Sequence, residues 1–188
     1  MDSGYSIGLI FISDIQNTIE MNLEKYKKNM SSLKITIIGL RKSGYAAALL
    51  GHELGANIFV SELNNDNEII SNKNKLLKKN ILVETGKHSD LIYEADFWVI
   101  SPGVPNNIEI INKAAKLNIP IIGEIEFANS FTKLPIIAVT GSNGKSTTVN
   151  ILYSMLKNGG FNPILAGNIG TPFSEKVKEE LKTPESGD

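Results

Sequence analysis

Lys34-Ile35-Thr36-Ile37-Ile38-Gly39-Leu40-Arg41-Lys42-Ser43-Gly44, continuing through Tyr45-Ala46-Ala47-Ala48-Leu49-Leu50 to Ala56-Asn57-Ile58-Phe59-Val60-Ser61-Glu62, reads as strand, glycine turn, helix, strand. The first run is apolar and β-branched, which suits a buried strand. The Ala/Leu-rich segment predicts a helix from Tyr45 to Leu54, stopped by Gly55. This is a βαβ unit, and Glu62 closes its second strand, where a dinucleotide-binding turn places an acid for a ribose hydroxyl. The middle glycine of that fingerprint is replaced by Arg41. Side chains at 41 and 42 would crowd a pyrophosphate lying flat on the turn, so NAD and FAD are disfavoured. The same cations could hold a phosphate from the side. An ordinary strand-to-helix turn explains this segment equally well when it is taken alone.

Downstream the alternation continues. Glu68 to Lys79 suits a polar helix, Ile81-Leu82-Val83 a strand, and Ser89 to Glu94 a helical turn. Phe97-Trp98-Val99-Ile100 is a buried strand that breaks off at Ser101-Pro102-Gly103-Val104-Pro105. Ile108 to Leu117 predicts an amphipathic helix with Ile108, Ile111, Ala115 and Leu117 toward the core. Pro120-Ile121-Ile122 is the next strand and Ile125 to Phe131 the next helix. Strands alternating with helices at this spacing predict an α/β fold with a doubly wound parallel sheet. Its ligand crevice belongs beyond the C-terminal strand ends, where Gly39–Gly44, Glu62 and Ser101–Pro105 converge.

A second glycine loop, Ala138-Val139-Thr140-Gly141-Ser142-Asn143-Gly144-Lys145-Ser146-Thr147-Thr148, follows the apolar run Leu134 to Val139. It opens a helix from about Lys145 to Asn158. Glycines let backbone N–H groups close on phosphate oxygens, and the helix N-terminus adds its own donors and partial positive charge. Lys145 is placed for the β- and γ-phosphates of a nucleoside triphosphate, and the Ser146 hydroxyl for Mg²⁺. The full P-loop pattern has a further glycine where this chain has Val139. A strand-like Pro163-Ile164-Leu165-Ala166, the turn Gly167-Asn168-Ile169-Gly170-Thr171-Pro172 and a polar helix complete the chain.

The chain has 188 residues, 41% hydrophobic and 21% charged, as expected of a globular protein of one domain plus part of another. A net charge of −1 gives no general attraction to nucleic acid or an anionic membrane. The basic stretches Lys25-Tyr26-Lys27-Lys28 and Lys73 to Lys79 read as solvated helix faces. Without cysteine there are no disulfides, thiolate metal sites or cysteine nucleophile, a composition compatible with the cytosol. His52 and His88 stand apart with no ligand pattern around them. The apolar Ser6 to Ile12 is far short of the ~20 residues of a membrane span. Residues 1–29 are expected to lie outside the core, since Met30-Ser31-Ser32-Leu33 is a natural beginning for a protein opening on the Lys34 strand.

The motifs Gly39 to Gly44, Ser101 to Pro105, Gly123-Glu124-Ile125-Glu126-Phe127, Val139 to Thr147 and Gly167 to Pro172 occur in the order found in Mur ligases, which residues 34 to about 180 resemble. The Ser-Pro-Gly and Gly-Asn-Ile-Gly segments are most similar to the D-glutamate-adding members. The resemblance implies a Rossmann-like UDP-sugar-binding domain at 34–131, after an N-terminal extension at 1–33. At 132–188 it implies the truncated start of a P-loop ATP-binding domain, because nothing after Lys145 supplies an acidic metal ligand at a strand end. It also implies an ATP- and Mg²⁺-dependent, cytoplasmic, monomeric ligase of peptidoglycan precursor synthesis. In that reaction the carboxylate of UDP-N-acetylmuramoyl-L-alanine attacks the γ-phosphate, and the amine of D-glutamate displaces phosphate from the acyl phosphate. By the resemblance Gly141, Ser142, Asn143, Gly144, Lys145, Ser146 and Thr147 bind ATP, with Ser146 on the metal. Ser43, Gly44, Glu62, Ser101 and Asn168 meet the UDP-linked substrate, and catalytic groups are expected beyond Asp188. Glu62 as a solvated strand end, and Ser101 and Asn168 as turn residues, are the competing readings. Two other functions stay open: a non-catalytic UDP-sugar-binding module, and a Mur ligase adding another amino acid.

Overall fold

A computed structural model describes residues 9–10, 29–105, 109–168 and 170–183. Expectations for the rest of residues 1–28, for Ile108 and Ile169, and for 184–188 lie outside the described residues. Five strands form one parallel sheet: β2 (Lys34–Ile38), β3 (Asn57–Glu62), β4 (Leu82–Thr85), β5 (Phe97–Ile100) and β6 (Ile121–Gly123), in the order β4-β3-β2-β5-β6. The chain winds outward from β2 in one direction, then returns to β5 and winds in the other. That reversal, between β2 and β5, opens a crevice at the C-terminal strand ends.

Alternation along each strand separates two apolar layers. Ile35 and Ile37 of β2, Ile58 and Val60 of β3, and Phe97 and Val99 of β5 face one side. There they meet α1 (Lys42–Glu53), α2 (Asn67–Leu77), α4 (Glu124–Asn129) and α6 (Phe173–Lys182). Ile38, Trp98 and Ile121 face the other side, with Ile92 of a 3₁₀ turn at Asp90–Tyr93 and Ala114 of α3 (Glu109–Lys116). A sheet covered on both faces needs strands apolar at successive positions, and Ile35, Thr36, Ile37 and Ile38 are all buried. Each fully buried aliphatic side chain contributes about 1.5–3 kcal/mol of transfer free energy. The buried Trp98 indole N–H donates to the Ile92 carbonyl at 2.7 Å, so its polar atom costs nothing.

Several local expectations shift. The first helix begins at Lys42 rather than Tyr45, and the fourth strand lies at Leu82–Thr85. On α3 the inward positions are Ile110 and Ala114, four apart, while Ala115 and Leu117 are exposed. One helical position of rotation separates that stripe from the expected one, and only the partner sheet selects between them. Pro163 to Ala166 is not a strand; Ala166 makes a single bridge to Thr171.

The second glycine loop has a different setting. Its strand is only β7 (Ala138–Val139), paired antiparallel with β1 (Leu9–Ile10). Its helix, α5 (Lys145–Asn158), has no buried residue, and Ile151 and Met155 stand exposed. By contrast α6, late in the chain, packs on α1 and α4 of the large sheet and buries Val177 in the main core.

Candidate functional site

The turn after β2 is tightly constrained. Gly39 has φ +97° and donates to the Ser61 carbonyl at 2.9 Å, which continues the β2–β3 pairing just past Ile38. A Cβ at Gly44 would lie 2.0 Å from the Gly39 carbonyl oxygen and 2.7 Å from Ser101 Oγ. Gly44 is therefore buried against the turn, where it lets α1 approach the sheet, and it is not among the cleft-lining residues. No side chain caps the N-terminus of α1, so its first backbone donors remain available to an anion.

Around this turn lies a cleft of about 580 Å³. It brings together Ser43 of α1, Glu62 of β3, Ser101 after β5 and Asn168 from the late glycine loop. Four of the five expected substrate residues thus share one cavity. Glu62 is no solvated strand end: it is 7% exposed, and its carboxylate accepts from Leu40 N–H at 2.9 Å and Asn64 N–H at 2.7 Å. It clamps the glycine turn to β3. Ser101 does not cap its turn through the hydroxyl, because the Val104 N–H goes to the Ser101 carbonyl at 3.0 Å. Its buried Oγ has no hydrogen-bond partner among the described residues. Such a hydroxyl costs stability unless something polar meets it. Asn168 is exposed, in a loop held open by Gly167 at φ +114° and Gly170 at φ +80°.

Arg41 lines the cleft, but its guanidinium is committed elsewhere. It pairs with Asp66 and Glu68 at 2.8 Å each, and the hydrogen bond and charge of Asp66, then Glu68, raise its pKa further. The same Asp66 accepts from the Ile69 N–H and caps α2, and that bond leads the causes holding its carboxyl below the ordinary range. Both partners are half exposed to water, so the pairs orient Arg41 more than they stabilise the fold.

The P-loop residues stand apart from this cleft, none of Gly141 to Thr147 lining it. Gly144 begins α5 with φ +75° and open space where a Cβ would be, and no side chain caps the helix. The uncapped N–H groups and bare glycine form a cradle that fits a phosphate. The Lys145 ammonium folds back onto the Gly141 and Ser142 carbonyls, and Ser146 is exposed at the first turn. Among the described residues there is no cluster of three His, Cys, Asp or Glu for a metal ion.

Residues 34–110 match the family model described as the MurD N-terminal domain. The match covers less than half of this chain. UDP-N-acetylmuramoylalanine–D-glutamate ligase of Koribacter versatilis is 41% identical over 140 residues, 74% of this chain and 31% of that protein. The ligases of the same name from Christiangramia forsetii and a Geobacillus species are 38% and 41% identical over 79% and 78% of this chain, and 33% of each relative. The chain thus spans about a third of the length of the curated relatives it matches. The solved structure of UDP-N-acetylmuramate-alanine ligase MurC from Thermotoga maritima is similar at 27% identity and a TM-score of 0.46, covering 66% of this chain and 29% of that one.

The cleft also carries a group that sequence reasoning missed. His88 lines the cleft beside Glu62, joined through Ser61 to Glu84. No spacing rule links residues 61, 84 and 88. The parallel pairing of β3 with β4, which sets Ser61 against Glu84, is what assembles them.

Proposed function

We propose that this chain is the N-terminal part of an ATP-dependent ligase that adds D-glutamate to UDP-N-acetylmuramoyl-L-alanine. In this reading a Rossmann-like domain at 34–131 holds the UDP-linked substrate. Residues 132–188 begin a P-loop ATP-binding domain, and the amino-acid-holding groups come from sequence that follows it in the relatives. One observation carries the reading: Ser43, Ser101 and Asn168, drawn from three separate motifs, and Glu62 from the end of β3, line one cleft at the strand-order reversal.

The roles follow from the geometry. The free N–H groups at the start of α1, beside Ser43, are suited to the diphosphate. The orphaned Ser101 hydroxyl and the Asn168 amide are suited to polar groups farther along the substrate. Gly141 to Thr147 would hold the ATP phosphates, with Lys145 turning from its loop carbonyls to the β- and γ-oxygens. Ser146 would give Mg²⁺ one ligand, and the ion would neutralise charge on those phosphates. A non-catalytic UDP-sugar module is the second reading. It is favoured by α5, which packs no residue into a core, while the first cleft is fully formed.

Isothermal titration of residues 1–188 with UDP-N-acetylmuramoyl-L-alanine and with ATP tests the proposal. Binding of both is expected. Binding of the nucleotide sugar alone selects the module, and binding of neither overturns the assignment.

A further inference from the structure

The protonation of His88 follows from the atoms around it. The Ser61 hydroxyl oxygen, fully buried, lies 2.6 Å from Glu84 Oε1 and 2.7 Å from His88 Nδ1. A carboxylate only accepts, and a hydroxyl has one proton. Two oxygens at 2.6 Å require a proton between them, so Ser61 donates to Glu84. The Ser61 oxygen must then accept from His88, which fixes the imidazole proton on Nδ1.

Electrostatics agree with a neutral ring. Burial pushes the His88 imidazole down, against the pull of Glu84 from β4 and Glu62 from β3, and it titrates below the ordinary 6.5. Burial pushes the Glu84 carboxyl up, but the hydrogen bonds from Ser61 and Ser89 outweigh it and hold the group ionised. The other charged groups on the cleft wall are Arg41, Lys42 and Glu68, and Arg41 and Glu68 neutralise one another. A neutral imidazole protonated on Nδ1 carries a lone pair on Nε2. No described residue donates to it.

Position completes the case. From β5 to β4 the cleft crosses three strand spacings, about 14 Å at ~4.8 Å each, near the length of a nucleoside diphosphate. Phosphates at the α1 N-terminus, over β2, direct the nucleoside toward Glu62 on β3 and His88 after β4.

We infer that His88 is a specificity-determining residue whose Nε2 accepts a hydrogen bond from the nucleoside, either the imide N–H of the base or a ribose hydroxyl. The inference rests on the UDP-sugar reading above. Its test is calorimetric titration of the parent chain, His88→Ala and His88→Gln with UDP, N3-methyl-UDP, 2′-deoxy-UDP and 3′-deoxy-UDP. Near-ultraviolet circular dichroism checks that each variant is folded. His88→Ala should bind UDP about five- to tenfold more weakly, the scale of one hydrogen bond. That difference should vanish with the one analogue lacking the donor, which identifies it. His88→Gln should recover part of the loss, since its amide oxygen also accepts. Lowering the pH to 5 should weaken UDP binding in the parent more than in His88→Ala, because an imidazolium cannot accept. Equal affinities of parent and His88→Ala for all four ligands would overturn the inference, as would the same loss for all four. A parent chain that binds neither UDP nor UDP-N-acetylmuramoyl-L-alanine would overturn the UDP-sugar reading and this inference with it.

Discussion

The Glu124 carboxylate accepts a 2.6 Å hydrogen bond from the backbone N–H of Ser174, fifty positions later in the chain, and both residues are buried. Glu124 opens α4, and Ser174 lies in the first turn of α6. A carboxylate at a helix N-terminus satisfies an orphan donor and meets the positive end of the dipole. Glu180, farther along α6, accepts from Thr132 Oγ1 at 2.5 Å and from Lys133 N–H at 3.1 Å. Together these bonds pin α6 to the large sheet's helical layer, and with it the loop that carries Asn168 to the cleft.

Removing that carboxylate should loosen α6. Glu124→Ala leaves a buried N–H without an acceptor, which costs about 1–3 kcal/mol. Glu124→Gln, which keeps an acceptor oxygen, should cost less. Urea unfolding gives the magnitude, and amide exchange should show protection lost in Phe173–Lys182 before the sheet. Unchanged exchange in α6 would refute the pin.

Gly44→Ala should be severely destabilising. Its Cβ would meet the Gly39 carbonyl oxygen, a backbone atom that moves only if the turn moves. Such overpacking costs about 3 kcal/mol. A midpoint in urea close to the parent's would show that α1 can shift away. By comparison Gly103→Ala, with nothing within 4 Å of its Cβ, should be nearly neutral.

Lys145→Ala should abolish measurable ATP binding and leave UDP-N-acetylmuramoyl-L-alanine binding within about twofold. The P-loop residues do not line the first cleft, and distant sites without shared partners act almost independently. Titration of the variant with each ligand separately decides it; retained ATP affinity would remove the phosphate-site assignment.

Acid should weaken the fold in two stages. His88 titrates lower in the folded chain than its ordinary 6.5, so the unfolded chain binds the proton first. Stability is complete above about pH 6.5 and falls as the pH drops toward and through the folded value. Glu84 is also depressed, and its contribution is lost below its ordinary 4.5. Thermal midpoints from pH 8 to 4 should show both declines, and His88→Ala should flatten the upper one. A midpoint that rises between pH 7 and 5 would contradict the neutral, half-buried imidazole.

What the sequence by itself determined is local and periodic. The run Lys34 to Ile38, the Gly39 turn and the alanine-rich helix announce a βαβ unit, because strand burial and helix faces leave regular apolar patterns. Glycines at 39, 141, 144, 167 and 170 mark the loops, and all five adopt positive φ. The parallel sheet and the convergence of Glu62 with Ser101 follow from strand alternation alone. Only the tertiary structure decided the rest. It turned Arg41 to Asp66 and Glu68, chose Ile110 and Ala114 as the buried stripe of α3, and sent α6 to the first sheet. It also set Ser61 between Glu84 and His88. Each of these outcomes is a choice of partner among residues far apart in the chain. Periodicity says which face of an element is apolar, but which polar groups meet there depends on strand register and on which helix packs opposite, and no local pattern encodes either.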